Sequence, residues 1–315
     1  MDETKNVFVT GGTGFIGSHL CQKLSQKHGT VTLMRDLFPT GTPWGKWVSL
    51  ALNKTTVALG DILNYSTLRR VLADYSIHTV YHLAACAVVS TAQKDPCGTF
   101  QTNVVGTVNL LEACRQLDIP TVYVQTTDKV YGETMGAKEE DPLVSSGGVY
   151  ESSKACQDFA AQTYAETYGL NVIIGRPCNT FGFDMAKRII PNTIRSCMRG
   201  ELPIIYEGEN SVRQYIYVED LTDAILHLTL RLNLKGKLNV FNVATDNVLT
   251  QEQVVKKICN YFPLTPRIVK REKPIKEIYR QSLDWTKLKE TGWTPRYSFE
   301  DGIKETIHKF DEYEV

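Results

Sequence analysis

The stretch Gly11-Gly12-Thr13-Gly14-Phe15-Ile16-Gly17 constrains the fold of this 315-residue chain more than any other. It follows Lys5 to Thr10, a short apolar run that reads as a buried strand, and it opens an amphipathic helix from about Phe15 to Lys27. Glycines there allow a tight turn, a close backbone approach to a bound group and close packing of helix on strand. The helix start adds free N–H groups and the positive end of the dipole. A glycine pattern alone is weak evidence, but between a strand and a helix it predicts a dinucleotide with its pyrophosphate over Gly11, Gly14, Phe15, Ile16 and Gly17.

The pattern then repeats. Thr30 to Met34, Thr55 to Leu59, Thr79 to His82, Thr121 to Gln125 and Asn171 to Gly175 read as strands. Helical periodicity covers Ser66 to Tyr75, Thr102 to Leu117 and Tyr150 to Tyr168. This alternation predicts an α/β fold, a Rossmann-type doubly wound parallel sheet covered on both faces. Beyond about Gly175 the pattern loosens, punctuated by Pro177, Pro191, Pro203, Pro263, Pro266, Pro274 and Pro295. We read residues 1–175 as the dinucleotide-binding domain. Residues 176–315 read mainly as a smaller substrate-binding lobe, with some segments returning to the sheet.

Composition excludes several classes. Lys+Arg and Asp+Glu balance at 35 each, without the basic excess of a nucleic-acid binder. The eight cysteines include no C-x-x-C pair and no zinc-site spacing, so reduced thiols, a cytoplasmic location and no metal are expected. The polar start Met1-Asp2-Glu3-Thr4-Lys5 runs straight into a strand and is not read as a signal peptide. No apolar run approaches a membrane span.

Further cofactor contacts are expected at the other strand ends. Arg35-Asp36 follows the second strand. Asp36 accepting from a ribose hydroxyl favours NAD, whereas Arg35 pairing with a 2′-phosphate favours NADP; NAD is the expectation, with NADP left open. Asp61 and Ile62 follow the third strand, and Leu83-Ala84-Ala85 the fourth. Tyr150-Glu151-Ser152-Ser153-Lys154 sets Tyr150 and Lys154 one helical turn apart. A lysine ammonium and a cationic nicotinamide would both favour the Tyr150 phenolate. The fifth strand ends in Thr127-Asp128-Lys129, at the sheet edge where open α/β folds bind ligands.

Together these residues resemble the extended short-chain dehydrogenase/reductase family, specifically its sugar-nucleotide epimerases and dehydratases. The resemblance rests on the glycine turn, His82-Leu83-Ala84-Ala85, Asn103-Val104-Val105-Gly106-Thr107-Val108-Asn109 and Tyr150-x-x-x-Lys154. It extends through Gly175-Arg176-Pro177-Cys178-Asn179, Arg213 to Leu221 and Gly292-Trp293-x-Pro295. Thr127-Asp128-Lys129 is similar to the CDP-glucose 4,6-dehydratase variant of that family, which has Lys where other hexose dehydratases have Glu. The resemblance implies an NDP-hexose 4,6-dehydratase that oxidises C4, eliminates water and returns hydride to C6. Tyr150 would take the C4 hydroxyl proton and Asp128 would protonate the departing hydroxyl. Lys129 would act as the C5 base or stabilise the enolate. The resemblance further implies substrate contacts from Asn179, Arg188, Arg213 and Arg280, and a homodimer built on the two long helices. An NDP-sugar 4-epimerase using the same NAD, Tyr150 and Lys154 is the alternative.

Overall fold

The structure, a computed structural model, describes residues 5–144, 147–206, 211–232, 234, 236–269 and 278–313. Residues 1–4, on which the reading of the N-terminus rests, and Pro274 lie outside the described residues. In the first half of the chain the elements are β1 (Asn6–Thr10), α1 (Phe15–Leu24), β2 (Thr30–Met34), α2 (Pro43–Ala51), β3 (Thr56–Leu59), α3 (Tyr65–Asp74) and β4 (Ile77–His82). Next come α4 (Val89–Lys94), α5 (Pro96–Phe100), α6 (Gly106–Gln116), β5 (Thr121–Gln125), β6 (Thr134–Ala137), α7 (Val149–Tyr168) and β7 (Val172–Pro177). The chain continues through β8 (Asn179–Phe181), α8 (Ile189–Met198), β9 (Ile204–Tyr206), β10 (Val212–Tyr217), α9 (Val218–Leu226), β11 (Leu238–Val243) and β12 (Val248–Thr250). It closes with α10 (Gln251–Cys259), β13 (Arg267–Val269), β14 (Arg280–Leu283), α11 (Thr286–Glu290) and α12 (Phe299–Glu312).

Seven strands form one sheet in the order β11-β7-β5-β4-β1-β2-β3, every pair parallel. This is the doubly wound Rossmann arrangement that the alternation predicts. Its strands bury both faces. Val7, Val9, Tyr81, Tyr123 and Ile173 belong to one apolar cluster, and Phe8, Val80, Val122, Val124, Val172 and Ile174 to the other. The strand order reverses between β1 and β4, and this switch point opens a crevice at the carboxyl ends of the strands. Register aligns those ends: Thr10 pairs with His82, His82 with Val124, and Gln125 with Gly175. The edge strand β11, from the second half of the chain, pairs with β7 along its whole length.

The rest of the second half builds smaller sheets. One runs β12-β10-β14-β6, with β8 joining the far end of β10. A separate pair joins β13 and β9. The C-terminal α12 packs Phe299 against Phe181 and Phe310 against Phe183.

Three helical features depart from the sequence reading. Helix α2 is absent from it; Thr42 caps α2 by accepting from Gly45 N at 3.0 Å, and Trp47 and Val48 fill its buried side. The short helices α4 and α5 are also absent. The single helix expected from Thr102 to Leu117 is interrupted at its start, where Gln101–Val105 forms a wide π turn before α6. That turn turns Asn103 inward, where its amide bonds Cys86 N at 2.7 Å and Ser153 Oγ at 2.9 Å.

Candidate active site

The glycine turn is built as tightly as its sequence predicts. Gly11 has φ +75°, and a Cβ there would lie 2.8 Å from Ala84 N. A Cβ on Gly17 would lie 2.1 Å from Gly11 O, so α1 seats directly on the turn. The space this creates belongs to a cleft of about 900 Å³ that runs past Phe15, Ile16, Arg35, Asp36, Asp61 and Ile62. The cleft continues along Leu83, Ala84 and Ala85 to Tyr150 and Lys154. A cradle that any side chain would fill, at the start of a helix, fits a dinucleotide pyrophosphate. Arg35 Nε is 2.6 Å from Asp36 Oδ2, so the arginine that could serve a 2′-phosphate is partnered by its neighbour. Asp61 lines the cleft while its Oδ1 accepts from Leu63 N at 2.9 Å.

Beyond β5 the chain enters a short 3₁₀ turn, Asp128–Tyr131, capped by Thr127. The turn is pinned from below. Buried Gln281 on β14 donates to Asp128 O at 3.1 Å and Gly132 O at 3.0 Å. Thr126 donates to Asp158, which Arg176 clamps through two 2.9 Å bonds. Asp128 is 1% exposed, and its Oδ1 accepts from Thr127 Oγ1 at 3.0 Å and Lys129 Nζ at 3.3 Å. Its Oδ2 is buried with no protein partner among the described residues. Such an oxygen is costly to leave unpaired unless a ligand completes it. Lys129 also donates to Asn179 Oδ1 at 3.3 Å.

Tyr150 and Lys154 stand on successive turns of α7, both buried. Lys154 Nζ donates to Gln125 O at 2.9 Å and Gln157 Oε1 at 2.7 Å. Burial lowers its pKa to about 7, against a smaller upward pull from Asp158. Burial also drives the Tyr150 phenol well above its usual range, opposed by Thr127 and Arg188 and reinforced by Asp128 and Glu151. In the protein by itself, desolvation of the Tyr150 phenol thus outweighs the charges nearby, and the cationic nicotinamide is the other charge expected to favour the phenolate.

A second cleft, of about 960 Å³, meets the first at Lys129, Asn179, Thr180 and Arg188. Arg188 bonds Asp184 and lies over the Phe15 ring at 5.2 Å, bridging the glycine turn and this junction. Arg213 lines the second cleft, its guanidinium held by the carbonyls of Val212, Ile278 and Tyr279. Arg280 is not brought with it. It is the exposed first residue of β14, paired in register with Val212, and is not among the described residues lining either cleft. The residue that β14 sends inward is Gln281, which the sequence reading missed. Glu151 was also missed, read only as a spacer between Tyr150 and Lys154. It is buried, lines the second cleft, and leaves Oε2 unpartnered. Its place in the first turn of a helix was the available signal.

The parallel sheet and its glycine turn define the class of a dinucleotide-binding α/β protein, with two clefts that meet at Lys129 and Asn179. Residues 7–244 match the NAD dependent epimerase/dehydratase family, and the chain belongs to it. The family's cofactor is NAD. Among curated proteins, the chain is 31% identical to a trifunctional UDP-glucose 4,6-dehydratase/UDP-4-keto-6-deoxy-D-glucose 3,5-epimerase/UDP-4-keto-L-rhamnose-reductase of Arabidopsis thaliana. That match takes in 96% of this chain and 46% of the relative, so the chain spans about half the relative's length. Among solved structures, it is similar to the UDP-glucose 4-epimerase of Thermotoga maritima with UDP-glucose, at a TM-score of 0.86, 26% identity and coverage of 98% and 100%. It is also similar to the NAD complex of dTDP-glucose 4,6-dehydratase from Bacillus anthracis, at a TM-score of 0.83, 27% identity and coverage of 98% and 97%. Among the described residues no group of side chains could hold a metal, and no helix is long and apolar enough to cross a membrane.

Proposed function

We propose that the protein is a nucleotide-sugar 4,6-dehydratase, converting an NDP-hexose to an NDP-4-keto-6-deoxyhexose. The observation that carries this is Asp128, a buried carboxyl group that lines the first cleft next to Lys129, with one oxygen unpaired among the described residues. An epimerase needs no acid there; elimination of the C6 hydroxyl does. When bound, NAD supplies the acceptor for hydride from C4, its donor to C6, and a positive charge that favours the Tyr150 phenolate. Tyr150 takes the C4 hydroxyl proton while Thr127 hydrogen-bonds the same oxygen. Lys154, with two N–H groups on Gln125 O and Gln157 Oε1, would have its third to help hold the cofactor. The resulting ketone acidifies C5–H, and Asp128 delivers the proton on which the C6 hydroxyl leaves as water. Lys129 removes the C5 proton or, as an ammonium, stabilises the enolate while a water takes that proton, and C5 is reprotonated as hydride returns to C6. Asn179, Arg188 and Arg213 hold the diphosphate side of the substrate in the second cleft.

Mass spectrometry of the purified enzyme with a panel of nucleotide sugars tests the assignment. A product lighter by one water supports it; an isomer of unchanged mass establishes the epimerase instead. In Asp128→Asn, water loss should fall at least about 100-fold while C4 oxidation survives, so reduced nicotinamide accumulates on the enzyme. Undiminished dehydration by that variant would remove Asp128 as the acid.

The apolar side chains Phe100, Val105, Val108, Phe159 and Tyr168 stand exposed along α5, the π turn, α6 and α7. We propose that a second copy covers them in a homodimer. Light scattering showing a monomer at working concentration would exclude it.

A further inference from the structure

Behind Lys154 lies a continuous line of buried polar side chains that the proposed reaction does not use. Gln157, wholly buried one turn further along α7, accepts from Lys154 Nζ at 2.7 Å and donates from Nε2 to Thr107 Oγ1 at 3.0 Å. Only this amide orientation gives the lysine an acceptor. The Thr107 hydroxyl donates its one proton to Asn103 O at 2.7 Å, so towards other partners it can only accept. His82 Nε2, 2.7 Å from that hydroxyl, must therefore carry the ring proton. His82 Nδ1 is then the acceptor, taking the proton of Thr10 Oγ1 at 2.7 Å. The Thr10 oxygen is left to accept from Leu83 N and Ala84 N, each at 3.2 Å. Ala84 is the residue against which Gly11 packs. The contacts run unbroken from Lys154 to the glycine turn.

We infer that Gln157 is a positioning residue for Lys154, and that Gln157, Thr107 and His82 form a neutral brace holding the ammonium in register with the glycine turn. Neutrality is the functional point. A carboxylate at position 157 would hold the ammonium equally well but cancel the charge that Lys154 presents to its ligand. The acid next along, Asp158, is instead engaged by Arg176 and Thr126. The charged group acting on Lys154 is Asp158, spent on Arg176; of the titratable groups near it, Tyr150 stands one turn away and His82 is kept neutral by burial, with a pKa near 3. The inference rests on the roles proposed above for Tyr150 and Lys154 and is indifferent to dehydration or epimerisation.

The test is the titration of Lys154 in NAD-loaded protein, followed by NMR of ¹³C-labelled lysine and assigned by its loss in Lys154→Met. Gln157→Leu, which removes an acceptor from a buried ammonium, should lower the midpoint by about one pH unit or more. Gln157→Glu should raise it. Thr107→Val, which frees the amide without touching the lysine, should shift it downward by less and serves if Gln157→Leu does not fold. The pH profile of kcat/KM should move its alkaline limb in the same directions, with KM for the sugar nucleotide little changed. Unchanged titrations in variants that merely melt at lower temperature would overturn the brace and leave Gln157 as filling. If the wild-type enzyme turns over no nucleotide sugar, the proposed function fails, yet the titration still decides the brace.

Discussion

The two halves of the molecule were written in different ways. In the first, strands alternate with helices and pair in parallel on either side of β1, outward to β3 one way and through β4 and β5 to β7 the other. In the second, β10 pairs with β12, β14 and β8, and β14 reaches back to β6. The first half puts its chemistry at aligned strand ends. The second assembles a cleft from pieces distant in sequence. Regular local order thus builds the cleft proposed for the cofactor, and long-range pairing shapes the one proposed for the substrate.

This contrast makes separable predictions. The largest effect is expected at the junction: Tyr150→Phe should lower kcat by about 10³–10⁴-fold, read by steady-state assay, with NAD still bound. A loss below tenfold would show that the reacting proton does not pass through Tyr150.

Acid should open the first half. His82 in β4 is pushed from 6.5 to about 3, chiefly by burial, while the unfolded chain takes its proton near 6.5. Its contribution is therefore present above pH 6.5 and lost as the pH falls towards 3. The full loss is on the order of 5 kcal/mol. Hydrogen exchange between pH 7 and 4 should show protection falling in β4 and β1 and less steeply in His82→Gln. Equal slopes in both proteins would place the acid sensitivity elsewhere.

Gly11→Ala should then cost about 2–3 kcal/mol, because the residue has positive φ and its Cβ meets Ala84 backbone. NAD retention should fall with it, while the purified variant's second cleft remains intact to a nucleoside diphosphate probe in calorimetry. Arg213→Ala should do the reverse, raising KM for the nucleotide sugar by about tenfold, roughly 1.4 kcal/mol, and leaving bound NAD unaffected. If either variant disturbed both ligands equally, the division of labour between the halves would be wrong.

The same contrast explains what could be read from the sequence. The first strands and α1 were legible because β-branched runs, a glycine turn and amphipathic spacing are all local signals. That Tyr150 and Lys154 line one cleft with Thr127 and Asp128 could be read from their spacing downstream of a dinucleotide fold and from a position after a strand. Helix α2 was missed because only nine residues form it and its buried tryptophan packs against elements far away. The π turn was missed because a single wide turn leaves apolar periodicity almost intact. Gln281 holds the Asp128 loop from β14, a pairing that no short-range pattern announces. Arg280 was misplaced by one residue of strand alternation, since β14 turns its neighbour inward instead. Gln157 looked like a polar residue on an ordinary helix, and only its neighbours reveal what it holds.

One feature of the sheet bears on how the protein is made. Synthesis runs from the N-terminus, so β1 to β7 emerge while β11 is still to be translated. Until it arrives, β7 presents a bare row of N–H and C=O groups along Val172 to Pro177, an edge on which a neighbouring nascent chain could add a strand. The ribosome must deliver more than sixty further residues, roughly, before that edge is closed, so the hazard lasts for several seconds at ordinary elongation rates. Slowing translation between the two strands would therefore be expected to reduce soluble yield without altering a single contact in the finished enzyme.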